Sequence, residues 1–358
     1  MNRNPGMNAG QIIGTMNALQ VVGLDIAKLV FQLHTVDMGT GEIVNVQIKR
    51  AKVLEHFANT APCLIAIEAC GGAHHWAREL TALGHTVRLL HAKVVRPFVS
   101  GNKTDATDAR AIWLAVQQPG VKFVGVKTAS QQATLTLHRQ RELMMKMRNM
   151  QTSALRGLLY EFGATFAKGR KALLKDVEQA LEVLSAQLPQ MVRDSLREQV
   201  ARIKAVSEDI AALEKRLGLQ LKVDPQMQRV AHIPGVGVLT ATAAIATMGE
   251  ASAFKSGREF CAWLGLVPTQ TGSGGKVRLG GISKRGDTYL RTLLIHGARS
   301  VLAQTKEPGP WLEQIKQRRP VNVVVVAQAA KMARTIWAVT AKNQDYQRGF
   351  QSARPQAT

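Results

Sequence analysis

The sequence predicts a three-part chain: an α/β domain with a mixed sheet, a long helical arm, and a mostly α-helical C-terminal region. Three observations carry this. Short apolar runs alternate with helix-like segments over residues 18–125; a seven-residue apolar repeat marks residues 126–223; and glycine-punctuated helical patterns fill residues 224–342, followed by a polar tail over 343–358 that is expected to be loose.

In the first part, Leu19 to Leu24 reads as a buried strand ending in Gly-Leu-Asp. Phe31 to Val36 and Ile43 to Ile48 read as two further strands around a turn at Gly39-Thr40-Gly41. A helix-like piece (Val53 to Thr60) leads to the buried strand Cys63 to Glu68; a helix, the strand Thr86 to Leu90 and another helix follow. The polar loop Ser100 to Thr104 then opens a helix reaching Val116. Three strands able to pair as a meander, followed by alternating helices and strands, imply a mixed sheet. In the arm, Leu196, Ile203, Ile210 and Leu217 recur every seven residues, with Val200, Val206 and Leu213 filling the seam. A coiled coil or a long helical hairpin satisfies that stripe.

Charge narrows the partners. Lys and Arg number 47 against 25 Asp and Glu, a net of +22, and such a surplus is best tolerated where a polyanion neutralises it. Nucleic acid is the leading partner and an acidic membrane surface the second. Val321 to Ala341 is apolar enough to test as a membrane span, but Gln328, Lys331 and Arg334 interrupt it, so a buried amphipathic helix fits better. Cys63, Cys70 and Cys261 have neither CxxC pairing nor finger-spaced histidines and read as small buried residues of a reducing compartment. A cytoplasmic, nucleoid-associated protein with no membrane partner is expected.

Four carboxylates could form a metal site. Asp25 ends the first strand, Glu68 ends the fourth, and Asp105 and Asp108 open a helix three residues apart, on one face. Such acids gather only with counter-ions, and hard oxygen donors suit Mg²⁺, with Mn²⁺ possible. The bland alternative has Thr104 and Asp105 capping the helix and Asp108 pairing with Arg110 or Lys103. His74 and His75 follow Glu68 at a helix start, where a surface or capping role is favoured over a ligand role. Trp76, Trp113, Trp263 and Trp337 occupy apolar helical positions and are expected in the core.

His232 to Ala241 resembles a helix-hairpin-helix motif, whose Gly235 and Gly237 would let backbone approach a phosphate; a plain tight turn is the alternative. Between Thr271 and Arg299 six cations (Lys276, Arg278, Lys284, Arg285, Arg291, Arg299) face one acid, Asp287, around the glycine-flanked Ser273. Lys276, Arg278, Lys284, Arg285 and Arg291 are expected to bind nucleic acid. The residues alone favour a phosphate-binding loop whose serine donates a hydrogen bond, with a nucleophilic serine second. Arg139, Arg141, Lys146, Arg148 and Arg156 on the arm could track a backbone or form a solvated face.

The segments Gly23 to Lys28, Ile67 to Gly71, Lys103 to Ala109, Ile233 to Gly237, Leu264 to Pro268 and Ser283 to Gly286, in this order from Val21 to Val339, resemble the DEDD transposases of bacterial insertion sequences, recombinases described as guided by a bridge RNA. The resemblance implies an RNase H-like (RuvC-like) N-terminal domain, a coiled-coil arm and a C-terminal transposase domain. It implies Mg²⁺ on Asp25, Glu68, Asp105 and Asp108, and a catalytic serine nucleophile, with Ser273 at the matching position and Ser283 the fallback. It further implies donor and target DNA, a noncoding guide RNA, and a homo-oligomer, dimer or tetramer. The alternatives are a junction-resolving or RNase H-like metal nuclease using water, and a non-enzymatic nucleic-acid-binding scaffold.

Overall fold

The computed structural model describes residues 20–306 and 309–349, which divide into two compact units between Ala129 and Ser130. The start of the first predicted strand at Leu19 and the tail beyond residue 349 lie outside the described residues.

The first unit is built on a six-stranded mixed sheet in the order β3-β2-β1-β4-β5-β6. Strands β1 (Val21–Asp25), β2 (Val30–Val36) and β3 (Ile43–Lys49) form the expected antiparallel meander. Its turn is closed by Asp37, whose Oδ1 accepts from the backbone N–H of Gly39 (2.7 Å) and Thr40 (3.0 Å). Strands β4 (Leu64–Glu68) and β5 (Thr86–Leu90) run parallel to β1, and the short β6 (Phe123–Val124) closes the edge antiparallel. Helices α1 (Val53–Ala58) and α2 (Ala73–Ala82) pack with Ile65 and Ile67 on one face. Helices α3 (Ala92–Val95) and α4 (Asp105–Val116) pack with Leu64 and Ala66 on the other. Cover on both faces explains why β4 is a continuous apolar run rather than an alternating one.

In the second unit, α5 (Ala129–Tyr160) and α7 (Gln190–Val223) are long helices joined through α6 (Arg170–Val183). At 1.5 Å per residue each long helix spans about 50 Å. Arg141 pairs with Glu214 at 2.7 Å, and Gln199 Nε2 donates to the Gln151 carbonyl at 3.0 Å, so α5 and α7 run antiparallel. Of the predicted seam, Leu196, Val200, Ile203, Ile210, Leu213 and Leu217 are buried and Val206 is half-buried. Within the chain the seam therefore closes a helical hairpin. At one end Leu155 and Leu159 of α5, Leu173 and Val177 of α6 and Leu196 of α7 share a small core.

Helices α8 (Pro225–Ala231), α9 (Val238–Met248), α10 (Gly257–Trp263), α11 (Thr288–Gln304), α12 (Pro310–Arg318) and α13 (Val321–Lys342) complete the unit. Helix α13 is the stretch tested as a membrane span. Its Val325, Ala329, Met332 and Ile336 lie in one core with Phe260, Leu290 and Leu294, as the buried-helix reading expected. The glycine-rich loop expected in this helical region is instead a hairpin of β7 (Pro268–Ser273) and β8 (Lys276–Ile282). Gly274 and Gly275 both have positive φ (57° and 77°), which a two-residue turn matched to strand twist requires. The alternation Lys276-Val-Arg-Leu279 was its sequence signal, masked by the surrounding glycines.

Candidate functional site

The acidic group of the first unit is assembled by a glycine. Gly23 sits in β1 beneath α4, where a Cβ would lie 2.2 Å from the Ala109 carbonyl and 2.7 Å from the Trp113 nitrogen. Only a bare backbone admits the helix this closely. Residues two apart on a strand share a face, so Asp25 shares the face of Gly23 on which α4 lies. The pairings Val22↔Ile65 and Gly23↔Ala66 set β4 in register beside β1, so Glu68 shares the Leu64 and Ala66 face and ends its strand beside Asp25. Helix α4 begins at that same end with Asp105 and Asp108 in its first turn.

Thr104 caps α4: its Oγ1 accepts from the Thr107 N–H (3.2 Å), while Thr107 Oγ1 accepts from the Thr104 N–H (2.9 Å). This reciprocal box leaves Asp105 and Asp108 free of capping duty. Among the described residues Asp108 pairs with neither Arg110 nor Lys103, and none of the four acids makes an ion pair or a side-chain hydrogen bond. Asp25 is held at about 6, well above the ordinary aspartate value, by burial first, then by the charges of Asp108, Asp105 and Glu68, with Lys103 opposing. The four acids therefore lie within electrostatic reach of one another. Among the described residues, no three His, Cys, Asp or Glu side chains stand together at metal-ligand geometry. The donor set, all carboxylate oxygen and short of cations, nevertheless fits a hard divalent ion.

One neighbouring residue corrects an expectation. Cys70 is exposed next to this cluster, its thiol pushed up by burial, then by Glu68 and Asp25, whereas Cys63 and Cys261 are buried as expected. His74 Nδ1 accepts from the Lys127 N–H at 3.2 Å, and His75 lies 3.6 Å from Glu79 on the surface.

In the second unit, Ser273 is the last residue of β7, exposed at the hairpin tip opposite Lys276. Lys276 and Arg278 are exposed on β8, and Lys284 and Arg285 are exposed on the turn after it. The hairpin's base joins two motifs that are apart in sequence. Ser283 N–H donates to the Val267 carbonyl (2.9 Å) and Lys284 N–H to that of Gly265 (3.1 Å). A Cβ on Gly265 would lie 2.3 Å from the Arg285 carbonyl, and one on Gly286 1.9 Å from the Trp263 carbonyl. Half-buried Ser283 thus belongs to the base and Ser273 to the tip.

Arg291 departs from the nucleic-acid role expected of it. It is buried, and its guanidinium donates to the carbonyls of Leu264 (3.0 Å) and Arg285 (2.9 Å) and to Thr288 Oγ1 (3.1 Å), bracing that base. Gly235, φ +84°, spends its missing side chain on packing: a Cβ there would lie 2.7 Å from the Gly297 carbonyl of α11. Gly237 begins α9 with open space around it. Trp76 is buried, and the indole N–H groups of Trp113 and Trp337 donate to the carbonyls of Val21 and Ala251, but Trp263 is 39% exposed beside the hairpin base.

His138 of α5 gave no sequence signal. Its Nε2 lies 2.9 Å from Thr242 Oγ1 and its Nδ1 2.9 Å from the Tyr289 hydroxyl. Thr242 donates its only hydroxyl proton to the Val238 carbonyl (2.7 Å), so Nε2 is the protonated nitrogen and Nδ1 accepts from Tyr289. Burial, then Arg141, pulls the imidazole down to about 4.

The relatives of this chain can be set beside this geometry. Over 336 residues, 92% of this chain and 99% of the relative, it is 45% identical to a probable family 20 transposase of Pseudomonas aeruginosa. It is 37% identical to the transposase for insertion sequence element IS1111A of Coxiella burnetii, covering 94% of this chain and 93% of that one. It is 35% identical to the transposase for insertion sequence element IS1328 of Yersinia enterocolitica, over 91% and 98% respectively. Residues 227–312 match the model of the transposase IS116/IS110/IS902 family. These are transposases of insertion sequences, the class the sequence resembled. The chain belongs to the IS116/IS110/IS902 family of transposases.

Proposed function

We propose that the protein is a DNA strand-transferring recombinase of an insertion sequence, using Asp25, Glu68, Asp105 and Asp108 as a metal-binding set and Ser273 as nucleophile. The observation that carries the reading is the electrostatic coupling of Asp25 to Asp108, Asp105 and Glu68, none of them ion-paired among the described residues, at a sheet edge built around Gly23. The strand order β3-β2-β1-β4-β5, with its antiparallel meander and two parallel additions, supports an RNase H-like reading of the domain.

Mg²⁺ (or Mn²⁺), when bound by these carboxylates, supplies positive charge against the phosphate. Asp25, held near pH 6, gives up its residual proton in the same event. Ser273 Oγ loses its proton and forms an ester bond to phosphorus, while the bond from phosphorus to the leaving sugar oxygen breaks and that oxygen is protonated. An incoming sugar hydroxyl then displaces Ser273, restoring the phosphodiester and the free serine. Lys276 and Arg278 beside Ser273, with Lys284 and Arg285 at the base, hold the DNA backbone and stabilise the charge on phosphorus. The guide RNA and the homo-oligomer belong to this reading through the family resemblance; a phosphate contact rests on the helix-hairpin-helix-like motif, where Gly237 has open space and Gly235 is packed against α11.

The test is to supply the gene with its native flanking DNA in cells and sequence excision and insertion junctions. Wild type should form junctions, and Ser273→Ala and Asp25→Ala at matched protein levels should form none. An active Ser273→Ala beside a dead Asp25→Ala would remove Ser273 from the chemistry, leaving Ser283 or water as nucleophile, which Ser283→Ala separates.

A further inference from the structure

The arm carries a second charged feature, away from the carboxylates and the serine hairpin in sequence. Helices α6 and α7 border an open groove of about 480 Å³. Arg170, Lys171 and Lys175 line it from α6 and Lys204 from α7, over an aliphatic floor that includes Leu174 and Ala211. Glu208 is the one acid in its lining. None of these four cations makes an ion pair or a side-chain hydrogen bond among the described residues. Elsewhere on the arm some cations, among them Arg141, Lys146, Arg197 and Arg202, have a carboxylate partner, and others, such as Arg139 and Lys215, have none among the described residues.

Two further observations point to an anion. Helix α6 begins at Gly169 with no side-chain cap and no acid in its first turn, and places Arg170 and Lys171 there instead. Cations at the positive end of a helix dipole reverse the favourable arrangement, and an external anion restores it. Outside the groove's lining, half-buried Arg148 of α5 donates one guanidinium nitrogen to Met145 Sδ (2.8 Å), and its buried Nε has no hydrogen-bond partner. Its guanidinium is pulled down by burial, then by Arg170 and Arg141, so these cations share one field.

We propose that the groove between α6 and α7 binds the phosphate backbone of duplex DNA. No aromatic ring lines it, so it offers no platform for the unstacked bases of a single strand. Lysine ammonium groups bind phosphates as point charges and read no base. The groove therefore acts as a sequence-independent anchor for DNA alongside the reacting segment, an assignment that rests on the transposase reading above.

The full-length protein is titrated with a short DNA duplex, and with an RNA duplex of the same sequence, between about 50 and 200 mM salt. Each phosphate contact contributes about −0.9 to the slope of log affinity against log salt. The triple variant Lys171→Gln/Lys175→Gln/Lys204→Gln should flatten the slope on DNA by about 2 to 3 and weaken binding roughly tenfold to hundredfold at the lower salt. The single variant Lys175→Gln should flatten it by about 1, which keeps the test usable if the triple variant folds poorly. The control pair Lys146→Gln/Arg202→Gln, whose cations are already paired, should leave the slope near wild type. Wild type that binds DNA with a slope the triple variant does not change overturns the groove alone. Wild type that binds no duplex DNA overturns the groove; the recombinase reading is judged separately, by the excision and insertion junctions. A change on RNA without a change on DNA overturns the assignment to DNA.

Discussion

Asp25 in the first unit and His138 in the second are both shifted by the fold, and the two shifts run in opposite senses. Asp25 in the first unit is a carboxylate partly buried and beside three others, so the fold favours its protonated form. His138 in the second is a buried imidazole near Arg141, held between a threonine and a tyrosine, and burial first, then Arg141, favours its neutral form. Acid relieves the first unit and loads the second. A structural group is placed where its preferred state is the one present at neutral pH. Asp25 is placed where it is not, which agrees with the metal-binding role proposed for it.

The glycine seats give the largest way to break this comparison. Gly23→Val puts side-chain carbons into the backbone of α4 and should cost about 3 kcal/mol or more. Calorimetry should then lose the first unit's melting transition and keep the second's; an unshifted first transition would refute the glycine's role as seat. Gly286→Ala adds a clash with the Trp263 carbonyl at φ +77° and should cost about 2 kcal/mol, confined to the second unit. Hydrogen exchange should show the loss concentrated in 263–291.

Next come the pH responses. His138 titrates near 4 folded against an ordinary 6.5, so its contribution is present above pH 6.5 and is lost as pH falls toward 4. The loss amounts to an order of 3 kcal/mol. His138→Gln should flatten the second unit's melting temperature across that window relative to wild type; equal slopes would exclude the histidine as the cause. The smallest effect belongs to Asp25, whose folded value near 6 lies above its unfolded 3.8. Its contribution is present below pH 3.8 and lost as pH rises through 6. Asp25→Asn should stabilise the metal-free first unit at pH 7 by about 1 kcal/mol, discounted for solvent at this half-exposed edge. Under the proposed metal role, added Mg²⁺ should raise the melting temperature of wild type and leave that of Asp25→Asn unchanged.

What was legible in the sequence follows from range. The strands and the heptad seam declare themselves through neighbours two to seven residues apart, and β1 to β5, α4 and α7 lie where those periods place them. The four acids were legible because strand ends and a helix start are local features. The glycine seats were not, since Gly23 meets Ala109 and Gly265 meets Arg285, contacts that no local period encodes. Arg291 read as a surface cation because charge counting cannot distinguish a guanidinium that binds DNA from one that spends its donors on carbonyls. His138, isolated on a helix, announced nothing until its partners on α9 and α11 were in place.

The hairpin that carries Ser273 behaves as a lever. Six residues at about 3.3 Å each put its tip roughly 20 Å from its base. A tilt of about 5° at the base then sweeps the tip through about 2 Å, more than the misplacement of about 1 Å that can cost a reaction a hundredfold. Aim at the tip is therefore set at the pivot, by Gly265, Gly286 and the Arg291 brace, residues well back from the serine itself. Small changes there should alter how accurately strands are joined before they alter whether DNA is held.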